Sequence, residues 1–120
     1  MRDFRKLEIW KDSILYCQSI YKYVKYLPED EKYGLVMQMK RAVVSIPSNI
    51  AEGCRGTNKE LRHFINIALG SSFELETQIE ITKLISNIGP KESNDLISEL
   101  NSLQKRINAF RNSIKLKTKD

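Results

Sequence analysis

Glu60-Leu61-Arg62-His63 is the one stretch where a histidine follows a glutamate by three residues. On a helix that spacing puts both side chains on one face, and carboxylate-bridged di-iron bundles use it twice. Such a centre also needs an inward glutamate from each of the other helices, and His63 is the only histidine. No metal and no cofactor are therefore expected. A serine or cysteine nucleophile needs a neighbouring base held by a third group. Neither Cys17 nor Cys54 has a histidine or second cysteine close in sequence, and His63 lies between Arg62 and Phe64. Gly53-Cys54-Arg55-Gly56 lacks the Gly-Lys-Ser/Thr ending of a phosphate-binding loop. No catalytic residue is predicted, and the chain reads as a non-enzyme.

What remains is charge. The 120 residues carry a formal +5 with a pI near 9.2, a balance that favours an acidic partner. One basic group comprises Lys40, Arg41, Arg55, Lys59 and Arg62, with His63 beside it; a second, from 101 onward, includes Lys105, Arg106, Arg111, Lys115, Lys117 and Lys119. Glu74, Glu76, Glu80, Glu92, Asp95 and Glu99 form an acidic zone between them. Phosphate contact by Lys40, Arg41, Arg55, Lys59 and Arg62, with Arg106 and Arg111 as a second strip, is one reading. The other is a solvated helix face in which Arg41 pairs with Glu52 or Glu60.

Four amphipathic helices must position these groups, over about 6–27, 29–52, 58–88 and 92–117. In the first, Trp10, Ile14, Cys17, Tyr21 and Val24 step by four and three, the narrow seam that bundle helices bury. Cys17 is then core filler, while Tyr16, Tyr23 and Tyr26 fall off the seam, either half-exposed beside a neighbouring helix or at an oligomer interface. Pro28 opens the second helix with Glu29, Asp30 and Glu31 near its positive end. Thr57 and Glu60 have capping-box spacing and start the third. Its seam is Leu61, Ile65, Ala68, Ser72, Leu75 and Ile79, and small residues at 68 and 70–72 suggest close approach of another backbone. Gly89-Pro90 leads into the fourth helix, with Leu96, Leu100, Leu103, Ile107, Phe110 and Ile114 on one side. Short connections imply an all-α, antiparallel up-down-up-down bundle in one domain, 1–120. The tail Lys115 to Asp120 should fray. Val44, Ile67, Phe73 and Ile81 are left over, with Tyr16 and Tyr23, for a second contact.

The second helix contains the most distinctive string, Gln38 through Gly53. Leu35, Met39, Ala42, Ile46 and Ile50 share one side, yet Pro47 sits within it, at a cost of about 3 kcal/mol unless the helix bends. A kink at Pro47 and a stop at Gly53 are expected. Ser45, Ser48 and Asn49 either satisfy the carbonyls that Pro47 leaves unpaired or contact a ligand. Tyr33-Gly34-Leu35, Gln38 to Arg41, and the motif Ser45-Ile46-Pro47-Ser48-Asn49-Ile50-Ala51-Glu52-Gly53 resemble the bacterial 23S rRNA-intervening sequence protein family of four-helix bundles. The likeness extends to Phe4–Trp10 and to Ile67–Ser72 with Glu74-Leu75-Glu76.

That resemblance reaches the accessory variability protein of diversity-generating retroelements, a basic pentamer that partners a reverse transcriptase and nucleic acid. It implies a homopentamer that binds RNA or DNA. It equally implies a module that binds a protein such as a reverse transcriptase, with no nucleic-acid affinity of its own. The chain shows no apolar run of 18 residues and no apolar signal region at its start, so no membrane association and a cytoplasmic location are expected.

Overall fold

The computed structural model describes residues 2–116, which are helix and turn without a strand. Four helices, α1 (Glu8–Tyr23), α2 (Leu35–Gly53), α3 (Asn58–Ile85) and α4 (Pro90–Ser113), form a bundle 53 × 24 × 23 Å in extent. Contacts at its ends give the directions. Tyr23, closing α1, meets Thr82 late in α3 and Ser93 early in α4. At the other end Asn58, opening α3, donates to the Lys115 carbonyl just past α4, at 2.8 Å. Neighbours in sequence therefore run antiparallel, up-down-up-down. The helix end expected at 117 and the tail residues Lys117, Thr118, Lys119 and Asp120 lie outside the described residues.

Local chemistry sets where the helices stop. α1 tightens into a 3-10 turn at Val24–Tyr26, and Leu27 is extended (ψ 154°) because Pro28 follows it. Glu29–Glu31 make only a 3-10 turn, and α2 starts at Leu35, after Gly34. Glycine inside a helix costs about 1 kcal/mol relative to alanine, and the Glu31 carboxylate here accepts from the Leu35 amide at 3.3 Å. The capping box at Thr57 and Glu60 is present, with reciprocal bonds of 3.2 and 3.0 Å. α3 ends at Ile85, before 88, because the Ser86 hydroxyl donates back to the Thr82 carbonyl (2.6 Å) and accepts from the Ile88 amide.

Three helices bury the seams their periods predict. Met39, Ala42, Ile46 and Ile50 of α2, Leu61, Ile65, Ala68, Ser72, Leu75 and Ile79 of α3, and Leu96, Leu100, Leu103 and Ile107 of α4 are all buried. Each fully buried aliphatic side chain contributes about 1.5–3 kcal/mol. α1 differs. It buries Ile9, Ser13, Tyr16, Ile20 and Tyr23, a row one residue earlier than the expected one, and leaves Ile14 and Tyr21 43% and 42% exposed. Both rows step by four and three, so hydrogen bonding decides between them. The Tyr16 hydroxyl donates to the Leu96 carbonyl at 2.8 Å, and the Tyr23 oxygen bonds Thr82 Oγ1 at 2.6 Å and Ser93 Oγ at 2.7 Å. Burial, reinforced by Glu99 and Glu76, pushes the Tyr16 phenol far above its ordinary range, so it remains a donor. Tyr16 and Tyr23 are core residues, and the interface expected of them is corrected: their rings and hydroxyls are used within the monomer.

α2 runs through Pro47 without interruption. The carbonyl this proline leaves without a helical donor, that of Val43, receives the Cys17 thiol at 3.4 Å. Burial holds the Cys17 thiol protonated, with a pKa pushed up to about 11. The expected groups act one step along: Ser48 Oγ donates to the Val44 carbonyl (2.7 Å), Asn49 to Ser45 (2.8 Å), and Ser45 Oγ bonds Ser71 Oγ across to α3 (2.8 Å). Gly53 has no positive φ and is not a left-handed stop. A Cβ there would lie 2.9 Å from Phe64 Cβ and 3.2 Å from Leu61 Cα, so Gly53 is where α2 meets α3 closely. Gly70, where that approach was expected, would have nothing within 4 Å of an added Cβ.

Candidate nucleic-acid interface

The up-down topology places the chain start, the α2–α3 turn and the end of α4 together. The Arg2 amide donates to the Cys54 carbonyl at 3.0 Å, and Asn58 holds Lys115 as described. Arg62 Nη1 donates to the Ile114 carbonyl at 3.4 Å. Arg2, Arg55, Lys59, Arg62, Arg111 and Lys115 thus converge on one end of the bundle. Two basic groups that lie far apart in sequence become one surface here.

No residue of that cluster is in an ion pair among the described residues. Arg55, Lys59 and Lys115 are exposed, and Arg62 is half-buried. Arg111 is steadied by neutral groups only, Asn66 at 2.9 Å and Asn108 at 2.6 Å, so its charge is undiminished. The Arg2 guanidinium stands 5.9 Å from the centre of the Phe110 ring. The nearby carboxylates are largely engaged locally. Glu60 closes the capping box, whose Thr57 bonds hold its carboxyl below the usual range, and Asp3 accepts from the Arg5 amide at 3.1 Å. The cap also occupies the Glu60 amide, which removes one helix-start donor from any phosphate.

The remaining predicted cations lie elsewhere. Lys40 and Arg41 are fifteen and fourteen residues before Arg55 on the α2 side, about 20 Å away along a helix at 1.5 Å per residue. Lys40 Nζ sits 4.9 Å from the centre of the Tyr21 ring, and Arg41 forms no ion pair with Glu52 or Glu60. Arg106 is held by Asp12 of α1 in an ion pair and is not a free phosphate donor. His63 packs edge-on against Phe64, with ring centres 5.3 Å apart, and Glu60 is spent on Thr57, so the Glu-x-x-His pair is divided between two local tasks. Arg2 is the contributor that the sequence does not single out, and Lys115, placed in the second basic group, joins the expected phosphate contacts. Only the hydrogen bonds that tie Arg2 and Lys115 to the α2–α3 turn and the start of α3 reveal their place.

The row of α1 that the core does not use lines a groove against α2. Phe4, Trp10, Ile14, Cys17, Tyr21, Val44, Pro47 and Ala51 surround about 630 Å³ of it. A second groove of about 560 Å³ shares Tyr21 and Val44 and is bordered by Lys32, Tyr33, Met37, Lys40 and Arg41. On the outer face of α3, Ile67, Phe73, Ile81 and Leu84 are also exposed. No helix among the described residues is long and apolar enough to cross a membrane.

The family model described as 23S rRNA-intervening sequence protein matches residues 5–109. A solved structure from Bacteroides thetaiotaomicron, described as a protein of unknown function from the S23 ribosomal protein family, is similar with a TM-score of 0.79 at 20% identity. The match covers 88% of this chain and 96% of that one. At that identity the likeness bears on the fold alone. No curated protein matches the chain.

Proposed function

This chain belongs to the 23S rRNA-intervening sequence protein family, and we propose that it is a non-catalytic, self-assembling accessory protein that binds nucleic acid through its basic end. The observation carrying this reading is the convergence of Arg2, Arg55, Lys59, Arg62, Arg111 and Lys115 at one end with no ion-pair partner among the described residues. Cations in no ion pair are available to phosphate oxygens, and their charge displaces the counterions that a polyanion carries. Lys40 and Arg41 supply a separate contact on the α2 side.

Self-assembly, as a homopentamer acting in the cytoplasm, multiplies this charge and gives the outer face of α3 a partner. Ile67, Phe73 and Ile81 are exposed there around Gly70, whose missing side chain leaves room for a neighbouring subunit. Arg55→Glu with Arg62→Glu tests the reading: binding of an RNA or DNA duplex should fall more than tenfold. The log–log salt slope should flatten by about 0.9 for each phosphate that is no longer neutralised. A wild-type complex whose affinity ignores salt would overturn it in favour of a module that binds a protein, such as a polymerase, without touching nucleic acid.

A further inference from the structure

We infer that the groove between α1 and α2 is a track for single-stranded nucleic acid, with Tyr21 and Tyr33 as stacking platforms and Lys32, Lys40 and Arg41 as phosphate contacts. The inference rests on the nucleic-acid reading above and adds to it a second site and the form of nucleic acid that site accepts. Four observations carry it. The tyrosines are exposed, at 42% for Tyr21 and 79% for Tyr33, although aromatic rings of this size are usually covered. Both border the same 560 Å³ groove, and no carboxylate lines it. Each ring has its own cation: Lys40 Nζ stands 4.9 Å from the Tyr21 ring centre and Lys32 Nζ 5.7 Å from that of Tyr33. None of Lys32, Lys40 and Arg41 is in an ion pair among the described residues.

Exposed rings interleaved with unpaired cations along a groove are the chemistry that holds an unpaired strand. Bases stack on the rings whatever their identity, and the backbone follows the positive charge. A duplex cannot use the rings, because its bases are already stacked on one another. Lysine suits the arrangement because its ammonium moves on a four-carbon stem. Lys40 can leave the Tyr21 face for a phosphate when a base arrives. The adjoining groove shares Tyr21 and Val44 and extends the apolar floor towards Trp10. At the basic end the exposed ring is the smaller imidazole of His63, packed edge-on against Phe64, so the two sites should differ in what they prefer: a duplex at the end, a single strand in the groove.

Fluorescence anisotropy with a labelled oligouridine and a labelled RNA hairpin duplex separates the two sites. The variants are Tyr21→Ala, Tyr21→Phe, Lys40→Glu with Arg41→Glu, and Arg55→Glu with Arg62→Glu, each checked for helix content by circular dichroism. Tyr21→Ala should weaken oligouridine binding about tenfold, as expected for loss of one stacked base. Tyr21→Phe should bind as wild type does, and neither change should alter duplex affinity. Charge reversal at Lys40 and Arg41 should cost more for oligouridine than for duplex, and reversal at Arg55 and Arg62 should do the opposite. Wild-type oligouridine affinity in Tyr21→Ala would overturn the track. Duplex binding with no oligouridine binding would also overturn it, leaving the basic end intact and the groove to an apolar protein helix. Failure to bind either probe would overturn the proposed function and the track together.

Discussion

The two ends of the bundle are built from the same helices but differ in how they use charge. At the end holding the chain start, the α2–α3 turn and the end of α4, the cations have neutral partners such as Asn66 and Asn108 or the Ile114 carbonyl. At the far end two of them have carboxylates, while Lys22, Lys25 and Lys32 are in no ion pair among the described residues. Lys83 pairs with Glu80 at 2.6 Å and Lys91 with Asp95 at 2.8 Å, while Glu29 and Asp30 stand exposed on the turn before α2. Formal charge alone therefore misleads. Exposed ion pairs contribute less than about 1 kcal/mol to stability, yet each one cancels a cation that a phosphate would otherwise use. The ends differ inside as well. The far end is closed by polar hydroxyls, Tyr23 with Thr82 and Ser93, and the basic end by close backbone packing at Gly53.

The largest expected effect tests the charge comparison. If the basic end alone binds duplex, reversing Lys83 and Lys91 to glutamate should leave duplex affinity within about twofold of wild type, while the Arg55 and Arg62 reversals abolish most of it. Equal losses at both ends, read by the same anisotropy titration, would erase the distinction. Tyr23→Phe tests the polar closure. It removes two buried hydrogen bonds and should lower stability by about 2 kcal/mol in urea unfolding; no loss would mean the hydroxyls are unimportant. Gly53→Ala tests the packed closure. Its Cβ would press on Phe64 and Leu61, costing about 1–3 kcal/mol before a helix-propensity gain of about 1 kcal/mol. Gly70→Ala, with open space around it within the single chain, should keep that gain as a slightly higher melting temperature in the monomer while weakening self-assembly through the outer face of α3. Acid gives the smallest effect. The carboxyl of Glu60 has a folded pKa below its ordinary value, so its cap stabilises the protein at neutral pH and that contribution fades as pH falls through the folded value. Glu60→Gln should flatten stability in that acid range.

The fold was legible in large part because burial follows periodicity. The seams of α2, α3 and α4 each form one continuous row at helical spacing, apolar apart from Ser72. The apolar residues beside it, such as Val44 on α2 and Ile67 and Phe73 on α3, do not extend a competing row along the whole helix, so that row turns inward. α1 carries two candidate rows one residue apart, and helical spacing is equally good for both. The inner row is the one whose tyrosine hydroxyls find partners on α3 and α4, which no property of α1 itself reveals. The candidate site was legible in half. Arg55, Lys59 and Arg62 fall together because they are neighbours on one turn and one helix start. Arg111 and Lys115 join them only through antiparallel packing, and the Asp12 partner of Arg106 lies 94 residues away in sequence.

Local rules and repeating patterns depend on residues within one turn or one helix. The four helices, the capping box at Thr57, three of the four buried faces and the basic balance of the chain therefore follow from the order of its residues. Which row of α1 is buried, which thiol meets the Val43 carbonyl beside Pro47, which cations are free and which glycine is indispensable depend on atoms from other helices. Packing settles these, because hydrogen bonds, ion pairs and steric contacts act over a few ångströms and only folding brings distant residues that close.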